Sequence, residues 1–251
     1  MRADIFEVIA AVEDHHWWFQ ARQRIILSLL ERELPRLMPG GAVERRILDV
    51  GAGGGMLASA MTHLGHVTAM EGAPEALPHL ERRVGLTVIA GFLPSPDLSP
   101  ESFDLVTSFD VLEHIEDDRA ALHDLRQALK PGGALMVTVP THPWMWSAHD
   151  EVGHHFRRYR PGEIEQRIVG AGLSILFSSP FQTLLFPLQA AERLARRWLG
   201  PPPEGEELRM PPRWVNWMAY QVFSFERHWI GRRRRAPFGS SQLVLAQKPP
   251  A

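Results

Sequence analysis

Ile47-Leu48-Asp49-Val50-Gly51-Ala52-Gly53-Gly54-Gly55 reads as a short buried strand emptying into a glycine turn. Glycines at such a junction let the backbone approach a ligand closely, because no side chain stands in the way. The small residues over 56–64 then suit a helix. A dinucleotide fingerprint needs a third glycine three residues beyond Gly53, and Met56 stands there. An NAD site, and with it an NAD-dependent oxidoreductase, is therefore disfavoured. No Gly-Lys-Ser/Thr follows for a phosphate loop. What remains is Asp-x-Gly-x-Gly-x-Gly. Asp49, inside the strand, would repel a pyrophosphate and would favour, through water or a backbone amide, a cationic amino-acid moiety.

Outward from the turn, residues 66–70, 86–90, 103–109 and 134–139 read as further strands. Helices are expected after Pro74, over 117–129 (closed by Lys130-Pro131-Gly132-Gly133) and over 161–171. Strands at 173–177 and 242–246 close the set. The alternation implies right-handed crossovers and a parallel sheet with helices on both faces, and with the closing strands an α/β fold, a doubly wound, Rossmann-like sheet of seven strands. Two helices fill the N-terminal segment up to about Leu37, closed by Pro35, Pro39, Gly40 and Gly41, making residues 1–40 a helical cover. About sixty residues separate the last two strands, far more than a connection needs. They hold two amphipathic helices split by Pro201-Pro202-Pro203-Glu204-Gly205, with Val215, Met218, Val222, Phe225 and Trp229 as one apolar stripe. The expected division is a core of 41–179 plus 239–251 and a helical lid of 180–238. All eight tryptophans lie outside residues 19–143, so the specialised surfaces are expected in the flanking pieces.

The 251 residues are 45% apolar and 22% charged, which is ordinary globular material. Their 27 basic and 29 acidic residues nearly cancel, so no nucleic-acid footprint is present. With no Cys, disulfides, thiol nucleophiles and Cys-based zinc sites are excluded. Acids interrupt the N-terminal run where a secretory signal would be apolar, so the expectation is a soluble, cytoplasmic protein. Residues 168–191 carry no formal charge, but two prolines and several polar groups suit a strand leading into a helix better than a membrane span.

Glu71 ends the second strand about twenty residues after the glycines, where a carboxylate can accept from both ribose hydroxyls. At this point the chain resembles the class I S-adenosylmethionine-dependent methyltransferases, through LDVGAGGG (48–55), VTAMEGAPEAL (67–77), FDLVTSFDVLEHIED (103–117) and LKPGGALMVTVP (129–140). The resemblance implies S-adenosyl-L-methionine as cofactor and S-adenosyl-L-homocysteine as product. It assigns the methionine end to Asp49, Gly51, Gly53 and Gly55, and the ribose to Glu71 with Gly72 alongside. It sets Phe109, Asp110 and Val111 over the sulfonium side and Leu112 beneath the adenine. The family often places an acid after the third strand; here the run is Ala90-Gly91-Phe92-Leu93, so adenine would be read by backbone groups and by packing on Phe92. His114 in this motif often has a structural place near the pocket floor.

The opening HHWWFQARQRII (15–26) and the HD…GHHFRRY run (149–159) resemble a subgroup of bacterial small-molecule methyltransferases of type 11/12. Ligands of open α/β sheets bind at the carboxyl ends of the strands, so the loop over 140–159 stands beside the acceptor. A base helps if that acceptor is a hydroxyl, which makes His149 and His154 candidates, with Tyr159 as orienter. No metal site is assigned to His149, Asp150, His154 and His155, which lack the helical two-His spacing. The expected acceptor is a small-molecule or lipid-linked one. O-methylation is favoured over N- or C-methylation. The arginine-rich insertion reads as a lid, as a peripheral contact with a lipid surface, or as both. A non-catalytic ligand-binding or membrane-surface protein on the same fold is the alternative. The assembly is open between monomer and homodimer.

Overall fold

The structure, a computed structural model, describes residues 3–39, 41, 44–95, 98–200 and 210–250. Strands β1 (Arg46–Val50), β2 (His66–Glu71), β3 (Leu86–Ala90), β4 (Phe103–Phe109), β5 (Leu129–Pro140), β6 (Ser174–Phe181) and β7 (Ser241–Gln247) form one sheet in the order 3-2-1-4-5-7-6. β7 runs antiparallel to both of its neighbours. The seven expected strands are present and the parallel pairing implied by the alternation runs from β3 through β5, while the closing strand β7 is reversed. Phe181, the last residue of β6, pairs with Ser241, the first of β7. The chain thus leaves and re-enters the sheet at the same end of its strands, with no crossover.

Period-two alternation divides the strand side chains between two cores. Ile47, Leu105, Met136 and Leu245 face α2 (Trp17–Leu37) and α3 (Met56–Ala60). Leu48, Val106, Leu135, Val137 and Val244 face α5 (Asp118–Ala128) and α7 (Glu163–Gly170). Preceded by α1 (Ala3–Val12), α2 buries Arg22, Ile25, Ile26, Leu29, Leu30 and Glu33, which recur at helical spacing. α2 ends at Leu37, where the helical segment was expected to end, and holds Pro35 inside its last turn; one missing amide donor near the exit is tolerated. Lys130-Pro131-Gly132-Gly133 does not follow a helix end as a loop. It bulges inside β5 opposite the single residue Asp104, to which Lys130 Nζ donates at 2.8 and 2.9 Å.

Beyond α4 (Leu77–Glu81) and α6 (Ala148–Val152), the segment between β6 and β7 carries α8 (Phe186–Leu199), α9 (Arg213–Ser224) and α10 (Arg227–Ile230). Pro201-Pro202-Pro203-Glu204-Gly205 lies outside the described residues. α9 lies on α2, clasped by Asn216, which accepts from Trp17 N and donates to His15 O, each at 2.9 Å. That clasp and the buried Phe223 and Ser224 choose the inner face. The expected stripe is split: Met218, Val222 and Phe225 are 49%, 43% and 53% exposed, whereas Val215 is half-buried and Trp229 packs against the core.

Candidate active site

Where β1 ends, Gly51 and Gly53 take φ of +71° and +56°, a region costly to residues with a side chain. A β-carbon on Gly51 would overlap the Val111 side chain, whereas one on Gly53 would meet nothing within 4 Å. The turn is thus walled by Val111 and open at Gly53. Gly53 N donates to Glu71 Oε2 at 2.8 Å, and Glu71 Oε1 accepts from Gly72 N at 2.8 Å and Ala73 N at 2.9 Å. Three amides aim the carboxylate and leave acceptor capacity unused, since it has about four sites. Behind it Asp49 is buried and accepts from Thr107 Oγ1 at 2.6 Å. Burial pushes its carboxyl up to about 7, the Thr107 hydroxyl opposes this, and Glu71 adds repulsion. Among the described residues neither acid has an ion-pair partner. A turn with exposed backbone and two uncompensated acids fits a ligand carrying ribose hydroxyls and a positive charge.

Phe92 lies over Gly72 so closely that a β-carbon there would overlap its ring. Phe109 is half-buried at the end of β4, and Asp110 follows it at φ +55°. Leu112 is a correction to the expected cofactor contacts. It is fully buried in the core with Leu48, Val50 and Met70, and offers a ligand no surface.

The expected acceptor-side trio is not assembled. Tyr159 is fully buried; its hydroxyl donates to Asp118 Oδ2 at 2.6 Å, and Arg167 pairs with the same oxygen. Burial and the Asp118 charge push the phenol above its ordinary range. Tyr159 is a framework group, not an orienter of histidines. His154 is exposed at φ +55°, and the side chain of His149 lies outside the described residues. His155 of the loop is held by its neighbours. Its Nδ1 lies 2.9 Å from Asp150 Oδ1, and Arg158 Nε donates to that oxygen at 2.7 Å. Burial alone would raise the Asp150 carboxyl; the His155 and Arg158 bonds hold it well below its usual range. The His155 ring meets His114 edge-on at 4.4 Å. Burial, and secondarily His155, push His114 down to about 4, so it is a neutral imidazole at pH 7. Ligand atoms of Glu113, His114 and His155 lie within 4.8 Å of one another, a grouping that the sequence order of 149–155 did not indicate.

A sequence profile describing a methyltransferase domain matches residues 18–213. This chain belongs to the class I S-adenosylmethionine-dependent methyltransferases. The methyltransferase is 33% identical over 192 residues to the ubiquinone biosynthesis O-methyltransferase of Xanthomonas axonopodis pv. citri, a match spanning 66% of this chain and 78% of that one. Its fold is similar to that of the cyclase SpnF, with a TM-score of 0.60 at 21% identity, covering 93% of this chain and 83% of that one. It is also similar to that of Haemonchus contortus phosphoethanolamine N-methyltransferase 2 in complex with S-adenosyl-L-methionine, with a TM-score of 0.54 at 21% identity, covering 86% and 51%. At such identities these likenesses speak for the fold alone. The enzyme's cofactor is S-adenosyl-L-methionine.

Sequence reasoning missed several residues of this methyltransferase's site. Glu13, just beyond α1, lays its carboxylate against Gly54, and Arg83 ties both down, reaching Glu13 Oε1 at 2.6 Å and Gly54 O at 2.9 Å. Arg22 of α2 pairs with Asp110. Gln182, just past β6, faces Arg22. Arg22 lies within HHWWFQARQRII (15–26), whose resemblance assigned it no role; Glu13, Arg83 and Gln182 belong to none of the quoted motifs, and each is brought in by packing of elements distant in sequence. A charged residue at a buried position of α2 was the one available signal.

Proposed function

We propose that this enzyme transfers the methyl group of S-adenosyl-L-methionine to a hydroxyl oxygen of a small, amphipathic aromatic acceptor. The observation that carries this reading is the similarity over 192 residues to a ubiquinone biosynthesis O-methyltransferase. When bound, the cofactor supplies an activated methyl group on a sulfonium, so the protein's task is alignment, exclusion of water and removal of a proton. In this reading Glu71 accepts from the ribose hydroxyls. Asp49 and the backbone of Gly51, Gly53 and Gly55 hold the amino-acid end. Gly72 and Phe92 flank the adenine, and Phe109, Asp110 and Val111 border the methyl group.

Beyond the carboxyl end of β5, His142, Trp144, Phe186 and Phe238 form a chain of rings with centroids 5.4–6.3 Å apart. Leu184 and Leu188 extend it into solvent. This aromatic shelf suits the apolar part of an amphipathic acceptor. No described helix is long and apolar enough to cross a membrane. The outward apolar residues of α8 and α9, among arginines, support a peripheral contact with lipid, where a lipid-linked acceptor would partition. Residues 1–40 and 180–238 serve as covers over the core in this reading.

The test is incubation with methyl-labelled cofactor and a 4-alkylcatechol, with the product placed by mass spectrometry and NMR. A single O-methyl ether with equimolar S-adenosylhomocysteine is expected. A label on a ring carbon, or none on any catechol, would overturn the reading.

A further inference from the structure

Asp110 is the first residue beyond β4, and its left-handed backbone is held by a hydrogen bond from its N–H to Thr138 O at 2.9 Å. A non-glycine residue in that region is strained and persists where its surroundings over-determine it. Its neighbour Val111 walls the glycine turn, so the carboxylate stands beside the cofactor's place. Its Oδ2 pairs with Arg22, and its Oδ1 accepts from Thr138 Oγ1 at 3.2 Å. The pair is lopsided. The Arg22 side chain is 6% exposed and that of Asp110 29%.

Arg22 is locked from every side. Its guanidinium lies over the rings of Trp18 at 4.5 Å and Phe181 at 4.8 Å. It donates to Thr138 Oγ1 at 3.0 Å, and to the Gln182 amide oxygen at 2.7 Å in the orientation that also satisfies Trp18 Nε1. The cover helix and the end of β6 therefore converge on one cation whose outward product is an aimed carboxylate. A plain tie between cover and sheet would not need the acid left in solvent. Preorganisation of a reacting group by a buried supporting shell would.

We propose that Asp110 accepts the hydroxyl proton of the methyl acceptor and that Arg22 is the positioning residue that holds Asp110 to that task. The inference rests on the O-methylation reading. The acceptor's O–H bond breaks as its oxygen bonds the methyl carbon and the carbon–sulfur bond breaks. The proton passes to an Asp110 oxygen and then to water, and sulfur keeps the electron pair of its lost bond. An acid at the mouth also selects the acceptor's reactive end: a neutral hydroxyl donates to it, whereas a phosphate or carboxylate there is repelled.

The experiment compares wild type with Asp110→Asn, Arg22→Met and Arg22→Lys on two acceptors, 4-tert-butylcatechol and 4-nitrocatechol, whose hydroxyl ionises without help near neutrality. S-adenosylhomocysteine affinity and melting temperature are followed alongside. For Asp110→Asn, kcat on the alkylcatechol falls about a hundredfold or more, a size typical of general-base loss, and falls less than tenfold on the nitrocatechol. Arg22→Met shows the same acceptor-dependent split in smaller measure, Arg22→Lys restores part of it, and S-adenosylhomocysteine affinity stays within about threefold throughout. Equal losses on both acceptors, or no loss on either, overturn the inference while leaving O-methylation intact. A wild type that methylates neither catechol overturns both.

Discussion

Asp49 carries a prediction that separates a cofactor-binding acid from a merely buried one. Its carboxyl titrates near 7 because burial disfavours the charged form and Glu71 repels it. A positively charged amino group about 5 Å away, at an effective dielectric of about 20, would favour the ionised form by roughly 3 kcal/mol. That is about two pKa units, so the bound value falls to about 5. S-adenosylhomocysteine should then bind about tenfold more weakly at pH 6 than at pH 8, and release about half a proton at pH 7. Calorimetry in two buffers of different ionisation heat measures both. Asp49→Asn keeps the acceptor for Thr107 Oγ1, so the fold is retained while the pH dependence flattens and affinity at pH 8 drops by up to about a hundredfold. Equal affinities at pH 6 and 8 in wild type, or an unchanged slope in the variant, would refute the reasoning. Stability runs the other way. The folded value lies above the ordinary 3.8, so Asp49's contribution is full below about 3.8 and lost as pH rises through 7. Ligand-free Asp49→Asn should therefore melt higher than wild type at pH 8, with the gap closing towards pH 5.

Gly51→Ala places a β-carbon into Val111 at a positive φ; a loss of about 2 kcal/mol in chemical denaturation and abolished S-adenosylhomocysteine binding are expected, and native-like affinity would contradict the tight turn. Tyr159→Phe removes a bond to a buried carboxylate and should cost about 2 kcal/mol of stability with kcat on 4-tert-butylcatechol within about twofold, as should activity in His154→Ala; a hundredfold loss in either would restore a catalytic role. Leu188 and Trp198 are 70% and 92% exposed on α8. Their double change to Asp should abolish flotation with anionic vesicles and spare turnover of a soluble catechol, and unchanged flotation would remove α8 from the contact.

The sheet was legible because its strands are short apolar runs punctuated by glycine and proline, and local patterning suffices to locate such elements. β7's direction was not, since it depends on where a long insertion returns the chain. The face of α9 was not either. The stripe through Val222 and Phe225 has helical spacing, but a polar clasp at Asn216 and the break after Ser224 decided which side went in. For the site, Glu71 and the glycines were readable because one turn and one strand end carry them within a short span. Tyr159 misled because a loop rich in His, Arg and Tyr looks alike whether its groups face a substrate or bond the framework, as Tyr159 does with Asp118 of α5. Glu13 and Arg22 reach the site only through the docking of α1 and α2, and Arg83 reaches Gly54 from beyond α4, which no local pattern encodes.

The most direct test is the structure of the enzyme with S-adenosylhomocysteine bound. The account predicts ribose hydroxyls on the Glu71 carboxylate and the amino-acid end against the backbone of Gly51 and Gly53. The nucleoside lodged instead between α2 and α9, or a Glu71 carboxylate without contact to the ribose, would contradict it.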